Sequence, residues 1–323
     1  MKKAQNIFIA GFGDIGKRVA RRLSTSRHYQ VTALIRNSSA LSRDPKLAKP
    51  FRVQLVRGDL SSLRSPQKLP GHADTILHFA PPPGTGRSDT HTENLLAALG
   101  AARLRARRGF SHTAQARRAM LPRRIVYIST TGVYGNCDGA WIDETRPTRP
   151  ETARAKRRVD AEKRLQKWGR LHDVSITILR APGIYATDRL PLDRLRRHTP
   201  VLTETDDVYT NHIHADDLAA AVVLAMRQQR PKRYRVFNVV DDSQLRMGEY
   251  FDQVADAFGL ARPPRVSRLE AEGQISPMLL SFMHESRRIR NTRVKRELKL
   301  VLKYPTLSSV LTILQPQIQH RPD

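Results

Sequence analysis

Short apolar runs alternate along this chain with longer stretches whose apolar residues recur at helical spacing. Asn6–Ala10, Val31–Ile35, Arg52–Val56, Thr75–Phe79, Ile125–Ser129 and Val174–Leu179 read as strands. Between them, Asp14–Leu23 carries Ile15, Val19 and Leu23 at helical spacing, and helices are expected over about 88–105, 151–169 and 215–229. The last of these lines up Leu218, Ala219, Val222, Val223 and Met226. Met247–Phe258 groups Tyr250, Phe251, Val254 and Phe258 and stops at Gly259, a natural residue just past a helix end. Strands alternating with helices predict an α/β fold with a Rossmann-type, doubly wound parallel sheet. Residues 181–210 and 241–323 break the rhythm with Pro, Arg and less regular patterning, and are assigned to a smaller C-terminal lobe.

Composition changes this picture in two places. The chain of 323 residues is 39% apolar, enough for a core without covalent cross-links, and its one cysteine, Cys137, excludes an internal disulfide. A reducing cytoplasm fits that best. The basic start Met1-Lys2-Lys3 precedes only a short apolar run, so it reads as the approach to a first strand and not as an exported leader. The longest apolar run, Leu218–Met226, is nine residues, about half of a membrane span.

Charge is the second. Lys and Arg number 57 against 30 acids, a formal net charge of +27. Such a field attracts phosphates, anionic substrates, nucleic acid or acidic membranes. The arginines are spread along the chain, which suits a solvated basic surface. The densest block, 103–124, has eight Arg and no acid, and within it 106–123 reads as an inserted basic loop. Of Phe, Tyr and Trp only Phe110 lies in that block, so the stacking platforms of a single-strand binder are missing there.

The strongest motif is Gly11-Phe12-Gly13-Asp14-Ile15-Gly16, which leaves a strand and enters a helix. In that context the first glycine makes a tight turn, the second lets backbone approach a pyrophosphate, and the third lets helix and strand pack closely. The helix start offers free N–H groups and a positive dipole end to phosphates. All six residues are therefore read as a dinucleotide cradle, and 1–180 with 211–240 as the dinucleotide-binding domain. Twenty residues past Gly16, where an acid would bond ribose hydroxyls, stands Arg36. Arginine accommodates a 2′-phosphate, so NADP is preferred over NAD.

Further motifs follow in order. They are Gly58-Asp59-Leu60, His78-Phe79-Ala80-Pro81, Ser129-Thr130-Thr131-Gly132-Val133-Tyr134-Gly135, Arg180-Ala181-Pro182-Gly183-Ile184-Tyr185, Asn211–Leu218 and Phe237-Asn238-Val239. With the glycine loop, they make the chain resemble the extended short-chain dehydrogenase/reductase superfamily, including its NAD-dependent epimerase/dehydratase group, over nearly the whole length. The resemblance implies that Asp59 and Leu60 hold adenine. It sets Phe79, Ala80, Pro81 and Ser129 beside the cofactor, and Pro182, Gly183 and Ile184 at the nicotinamide. It aligns Thr130 with the family's catalytic Ser/Thr and sets Thr131, Gly132 and Tyr185 toward substrate, in a pocket between the two lobes.

One departure bears on chemistry. The family's Tyr-x-x-x-Lys, counted back from Glu162, falls on Arg154 and Arg158. Arginine stays protonated and cannot shuttle a proton, though Arg158 retains the ability to bond ribose hydroxyls or a phosphate. Tyr134 and Tyr185 are the nearest phenols in sequence; Tyr134 is the candidate acid, with packing as its alternative role. The chain looks like an atypical member. In Glu285–Asn291, Arg287 and Arg288 are candidates to clamp an anionic substrate, against a solvated turn with Asn291 capping a helix. His212, His214 and Asp216 are not read as a metal site; no metal is expected. The expected function is an oxidoreductase or epimerase/dehydratase-type enzyme on an anionic small molecule such as a nucleotide sugar. A non-catalytic NADP sensor or scaffold and an RNA-associated protein are the alternatives, and a homodimer is left open.

Overall fold

A computed structural model describes residues 4–36, 49–62, 73–109, 121–229 and 231–318. The described strands are β1 (Gln5–Ala10), β2 (Tyr29–Ile35), β3 (Val53–Arg57), β4 (Thr75–His78), β5 (Arg124–Thr130), β6 (Trp141–Ile142), β7 (Ser175–Ala181), β8 (Gly183–Tyr185), β9 (Val201–Leu202), β10 (His212–His214), β11 (Tyr234–Asn238), β12 (Arg265–Val266) and β13 (Arg288–Ile289). The helices are α1 (Asp14–Ser24), α2 (Thr90–Gly109), α3 (Ala153–His172), α4 (Leu192–Arg196), α5 (Ala215–Arg227), α6 (Met247–Ala257), α7 (Arg268–Gln274), α8 (Pro277–Leu280), α9 (Thr292–Leu298) and α10 (Leu307–Ile318).

The backbone divides into two compact units. The first comprises Met1–Thr130, Ala153–Arg180 and Leu218–Phe237, the second Thr131–Thr152, Ala181–Asp217 and Asn238–Asp323. Three stretches expected in the dinucleotide-binding domain, 131–152, 211–217 and 238–240, thus pack in the second unit. The expected basic insert, 106–123, begins as the last turn of α2, and residues 110–120 lie outside the described ones.

The first unit holds a large parallel sheet of seven strands in the order β11-β7-β5-β4-β1-β2-β3. The chain winds outward from β1 in one direction and then, from β4, in the other, so β1 and β4 are neighbours at the switch point. Its central strands are continuous apolar runs because both faces are covered: Ile7, Phe8, Ile9 and Ala10 are all buried. Helix α1 buries Gly16, Val19, Ala20 and Leu23, the i, i+3, i+4, i+7 stripe of a surface helix. Phe8, Ile76, Leu95, Ile125, Tyr127, Leu165 and Ile178 meet in one cluster of the core.

The second unit is built from three two-stranded pairs, β8–β10, β9–β12 and β6–β13, around a helical core. Tyr250, Phe251 and Val254 of α6 pack with Val201, Tyr304, Leu307 and Val310. Helix α6 ends before Gly259, whose φ of +62° is the left-handed conformation that suits glycine. Asp217 opens no purely local turn: its two carboxylate oxygens accept the backbone N–H groups of Lys303 and Tyr304, both at 2.9 Å.

Candidate functional site

The glycine turn between β1 and α1 separates what the fold needs from what it leaves open. Gly11 has φ +102°, and a Cβ there would stand 2.4 Å from the Ala80 nitrogen. That closeness is imposed by the switch point, where the Ala10 carbonyl accepts N–H groups from Phe79 (2.7 Å) and Ala80 (2.8 Å). A Cβ on Gly16 would meet the Gly11 carbonyl at 2.8 Å. Among the described residues, a Cβ on Gly13 would meet no atom within 4 Å. Packing requires the outer glycines and not the middle one. Gly13 is the N-cap of α1, and no side chain caps that helix start. Bare backbone, open space and the free N–H end of an eleven-residue helix fit a diphosphate. Phe12 is 7% exposed and packs edge-on against Phe51 at 5.7 Å, so it anchors the turn. Asp14 pairs with Arg18 at 2.9 Å, and Ile15 is half-buried.

Around this turn stand the other strand ends. Arg36 is exposed immediately after β2. The Ser61 N–H, bonded to Asp59, holds that carboxyl below the ordinary value, helped by the charges of His91 and Arg36. Leu60 is buried, and its carbonyl accepts from Asn94 Nδ2 at 2.6 Å. Phe79 is half-buried, Ala80 buried and Pro81 exposed; the Pro81 carbonyl lies 2.7 Å from His91 Nδ1. Arg157 donates to the carbonyls of Gly84 (3.2 Å) and Gly86 (2.7 Å), tying α3 to the loop after β4. Asn94 and Arg157 were not singled out from sequence. Only their fixed distance from the motifs, not their residue type, carries a signal.

At the end of β5, Ser129 is 3% exposed and donates to Glu162 Oε1 at 2.6 Å. Glu162 in turn accepts both arms of Arg180, at 3.1 and 2.7 Å. Thr130 is half-buried. Arg158 donates from Nη1 to the Tyr127 hydroxyl (2.9 Å) and the Ile128 carbonyl (2.8 Å). Arg154 is exposed one turn earlier. Burial pushes the Tyr127 phenol well above its usual range, so it stays protonated. His78 is fully buried with Nε2 2.8 Å from Thr92 Oγ1, and burial lowers its pKa to about 4. A cavity of about 550 Å³ opens at the starts of β1 and β2, beside Asn6, Tyr29, Gln30 and Arg52. It touches none of the motif residues.

In the second unit, Tyr134 is 1% exposed and its hydroxyl donates to Asn238 Oδ1 at 2.7 Å. Thr131 and Gly132 are buried in a single 3-10 turn. Pro182 and Ile184 are half-buried and Gly183 exposed. Arg287 is buried and donates to the Gly135 carbonyl (2.8 Å) and Glu285 (2.7 Å). Arg288 donates to the Gly139 carbonyl at 2.7 Å. The two adjacent arginines therefore serve different neighbours. Asn291 does not cap α9 with its side chain; its amide reaches the Val240 carbonyl (3.0 Å) and Asp242 (2.8 Å). Among the described residues no group of three or more His, Cys, Asp or Glu side chains is arranged to hold a metal ion.

Tyr185 and Asp241 form a buried titratable pair in this unit. Tyr185 is 2% and Asp241 4% exposed. Burial pushes the Asp241 carboxyl up to about 7, against the Ser243 N–H bond that lowers it. A carboxyl raised in the folded state stabilises fully below its unfolded value near 4, and that contribution fades as pH rises through 7. Asp241→Asn is therefore expected to gain about 2 kcal/mol relative to wild type between pH 5 and pH 7.5. Urea unfolding of both proteins at the two pH values measures this; a constant difference would show that the carboxyl does not titrate there. His212, whose pKa burial lowers to about 4, acts in the opposite direction but equally in both proteins.

A switch-point sheet whose bare glycine turn meets an uncapped helix start defines a dinucleotide-binding α/β protein. The sequence pattern of the NAD dependent epimerase/dehydratase family matches residues 7–239, and the chain belongs to that family. A functionally unknown conserved protein from Silicibacter pomeroyi is 27% identical, with a TM-score of 0.75 over 97% of this chain and 99% of that one. UDP-glucuronic acid 4-epimerase from Bacillus cereus, in complex with UDP-glucuronic acid and NAD, shares the fold at 17% identity. Its TM-score is 0.72 over 98% of this chain and 99% of that one. MoeE5 in complex with UDP-glucose and NAD is 20% identical, with a TM-score of 0.70 over 97% and 98% of the two chains. No curated protein sequence matches the chain. Among the described residues no helix is long and apolar enough to cross a membrane.

Proposed function

We propose that this protein is an NAD(P)-dependent oxidoreductase or epimerase/dehydratase-type enzyme acting on an anionic small molecule, a nucleotide sugar being the best fit. The observation that carries the proposal is Gly13, a glycine whose missing side chain no atom among the described residues replaces. Nucleotide sugars and NAD in complexes of proteins with the same fold support the substrate class. The bound dinucleotide supplies hydride transfer. The residues that hold it are Gly11, Phe12, Gly13, Asp14, Ile15 and Gly16 at the diphosphate, with Asp59 and Leu60 at the adenine. Phe79, Ala80, Pro81, Ser129, Arg158, Pro182, Gly183 and Ile184 line the rest.

Thr130 is the catalytic residue in this reading: its hydroxyl orients the substrate oxygen. Ser129 acts through Glu162, since its proton is directed there. Tyr134 takes the packing role, its proton directed to Asn238. Arg158 is fixed by Tyr127 and Ile128 and offers charge without a transferable proton. Thr131, Gly132, Tyr185, Arg287 and Arg288 are assigned to the substrate in this reading. A compartment that keeps Cys137 reduced, the cytoplasm, suits the chain. A thermal-shift series with NADP+, NAD+ and UDP-sugars tests the reading through ligand-linked stability. Stabilisation by a dinucleotide together with turnover of a UDP-sugar is expected; no shift with either dinucleotide would overturn it.

The arginines at 154 and 158 favour one second reading, a dinucleotide sensor or scaffold without turnover. Dinucleotide stabilisation with no conversion of any sugar nucleotide would select it. Arg36 makes NADP the preferred cofactor in both readings. Arg36→Asp is expected to lower the NADP-to-NAD affinity ratio at least tenfold, by removing a 2′-phosphate partner. An unchanged ratio in titration calorimetry would mean that Arg36 is surface only.

A further inference from the structure

A row of alternating guanidinium groups and rings runs across the second unit. The Arg290 guanidinium lies 5.2 Å from the centre of the Trp141 ring. Arg288 lies 5.2 Å from Trp141 on β6, which it faces across the β6–β13 pairing, and 4.7 Å from Tyr209. Arg246 lies 5.7 Å from Tyr209. Gly139 lets the last ring lie against the chain, since a Cβ there would already touch it at 3.2 Å. Trp141 is 39% exposed, which is uncommon for the largest apolar side chain, and Arg290 is exposed beside it.

The arginines of this row are handled differently from their neighbours. Arg287 pairs with Glu285 and Arg293 with Glu144. Among the described residues, Arg246, Arg288 and Arg290 form no ion pair. The charges of Arg293 and Arg290 reach Asp143, but that carboxylate is bonded to Thr145. Arg288 gives one donor to the Gly139 carbonyl and Arg246 one to the Glu204 carbonyl. Among the described residues, most of their guanidinium N–H groups, and all those of the Arg290 guanidinium, meet no acceptor. Stacking orients these forks without neutralising them. The surface thus presents planar faces for stacking and unpaired donors for anions in one row.

We propose that this row is a contact surface for single-stranded nucleic acid, with bases stacking on Trp141 and the guanidinium planes while phosphates meet the arginine edges. The chemistry discriminates among anionic partners. A base-free polyanion uses only the charge, whereas a single strand uses the rings as well. The +27 net charge of the chain adds attraction at long range without providing specificity. This surface is independent of the dinucleotide cradle, and its failure would leave that reading untouched.

The test is fluorescence anisotropy of a short labelled oligouridine on the full-length protein, with heparin fragments as the base-free competitor. Trp141→Ala is expected to weaken oligouridine about tenfold or more and heparin less than about twofold. Trp141→Phe, which keeps a ring, is expected to restore most of the binding. Arg290→Gln, an exposed change that spares the fold, is expected to lower the slope of log affinity against log salt by about one. Three results would overturn the proposal: no oligouridine binding at low salt, equal losses for both ligands, or an unchanged affinity in Trp141→Ala.

Discussion

Gly13→Val is expected to abolish dinucleotide binding, by at least about a hundredfold, while leaving the protein folded. The two halves of this expectation come from the same measurement of space. Among the described residues a Cβ at Gly13 meets no atom within 4 Å, so the added branch starts in open space. It stands where a diphosphate must approach the free N–H groups of α1, and displaces the ligand. Gly11→Ala supplies the contrast. Its φ of +102° and an Ala80 nitrogen 2.4 Å from the new atom make it a folding defect. Thermal melts with and without NADP+ separate the two cases. Gly13→Val should melt near wild type and gain nothing from ligand; Gly11→Ala should melt far lower even without ligand. A Gly13→Val protein that still gains the full ligand shift would remove the assigned cradle.

Arg180→Met is the second large effect, with an expected cost of about 3–5 kcal/mol. Arg180 is 6% and Glu162 4% exposed, so the single change leaves a carboxylate buried with only the Ser129 hydroxyl as a side-chain donor from its former network. Replacing both, Glu162→Leu with Arg180→Met, removes the stranded charge together with its partner. The double variant is expected to recover most of the loss, because desolvating two ions offsets much of their attraction. Urea unfolding of the three proteins forms the cycle. If the double loses the sum of the singles, the side chains act independently and the buried pair is not a unit.

The cradle was legible because its spacing is set by geometry: a turn, an approach and a helix contact need bare backbone at three fixed places. The sheet was legible because strands covered on both faces are continuous apolar runs. Boundaries slipped where backbone bonds turn away from the ladder. Phe79 was expected in β4, but its N–H goes to Ala10 at the switch point. Helix α2 ran on to Gly109 through residues expected to begin a loop, since Arg and Ala are good helix formers. Membership of 131–152, 211–217 and 238–240 in the second unit was illegible, because it rests on packing between distant segments. So were the buried arginines. Arg124, Arg157, Arg180 and Arg287 are each under 10% exposed in a chain with Lys and Arg everywhere, and each donates to a partner distant in the sequence.

Arg124, at the start of β5, closes its guanidinium on the carbonyls of Ala225, Met226 and Gln228 at the end of α5. A chain emerging from the ribosome makes that arginine about a hundred residues before its acceptors exist. During the same interval β7 has one edge without β11, which follows only at Tyr234–Asn238. The nascent first unit therefore waits with an open sheet edge and an unsatisfied buried cation until translation passes residue 238, and shorter amino-terminal fragments should aggregate rather than fold.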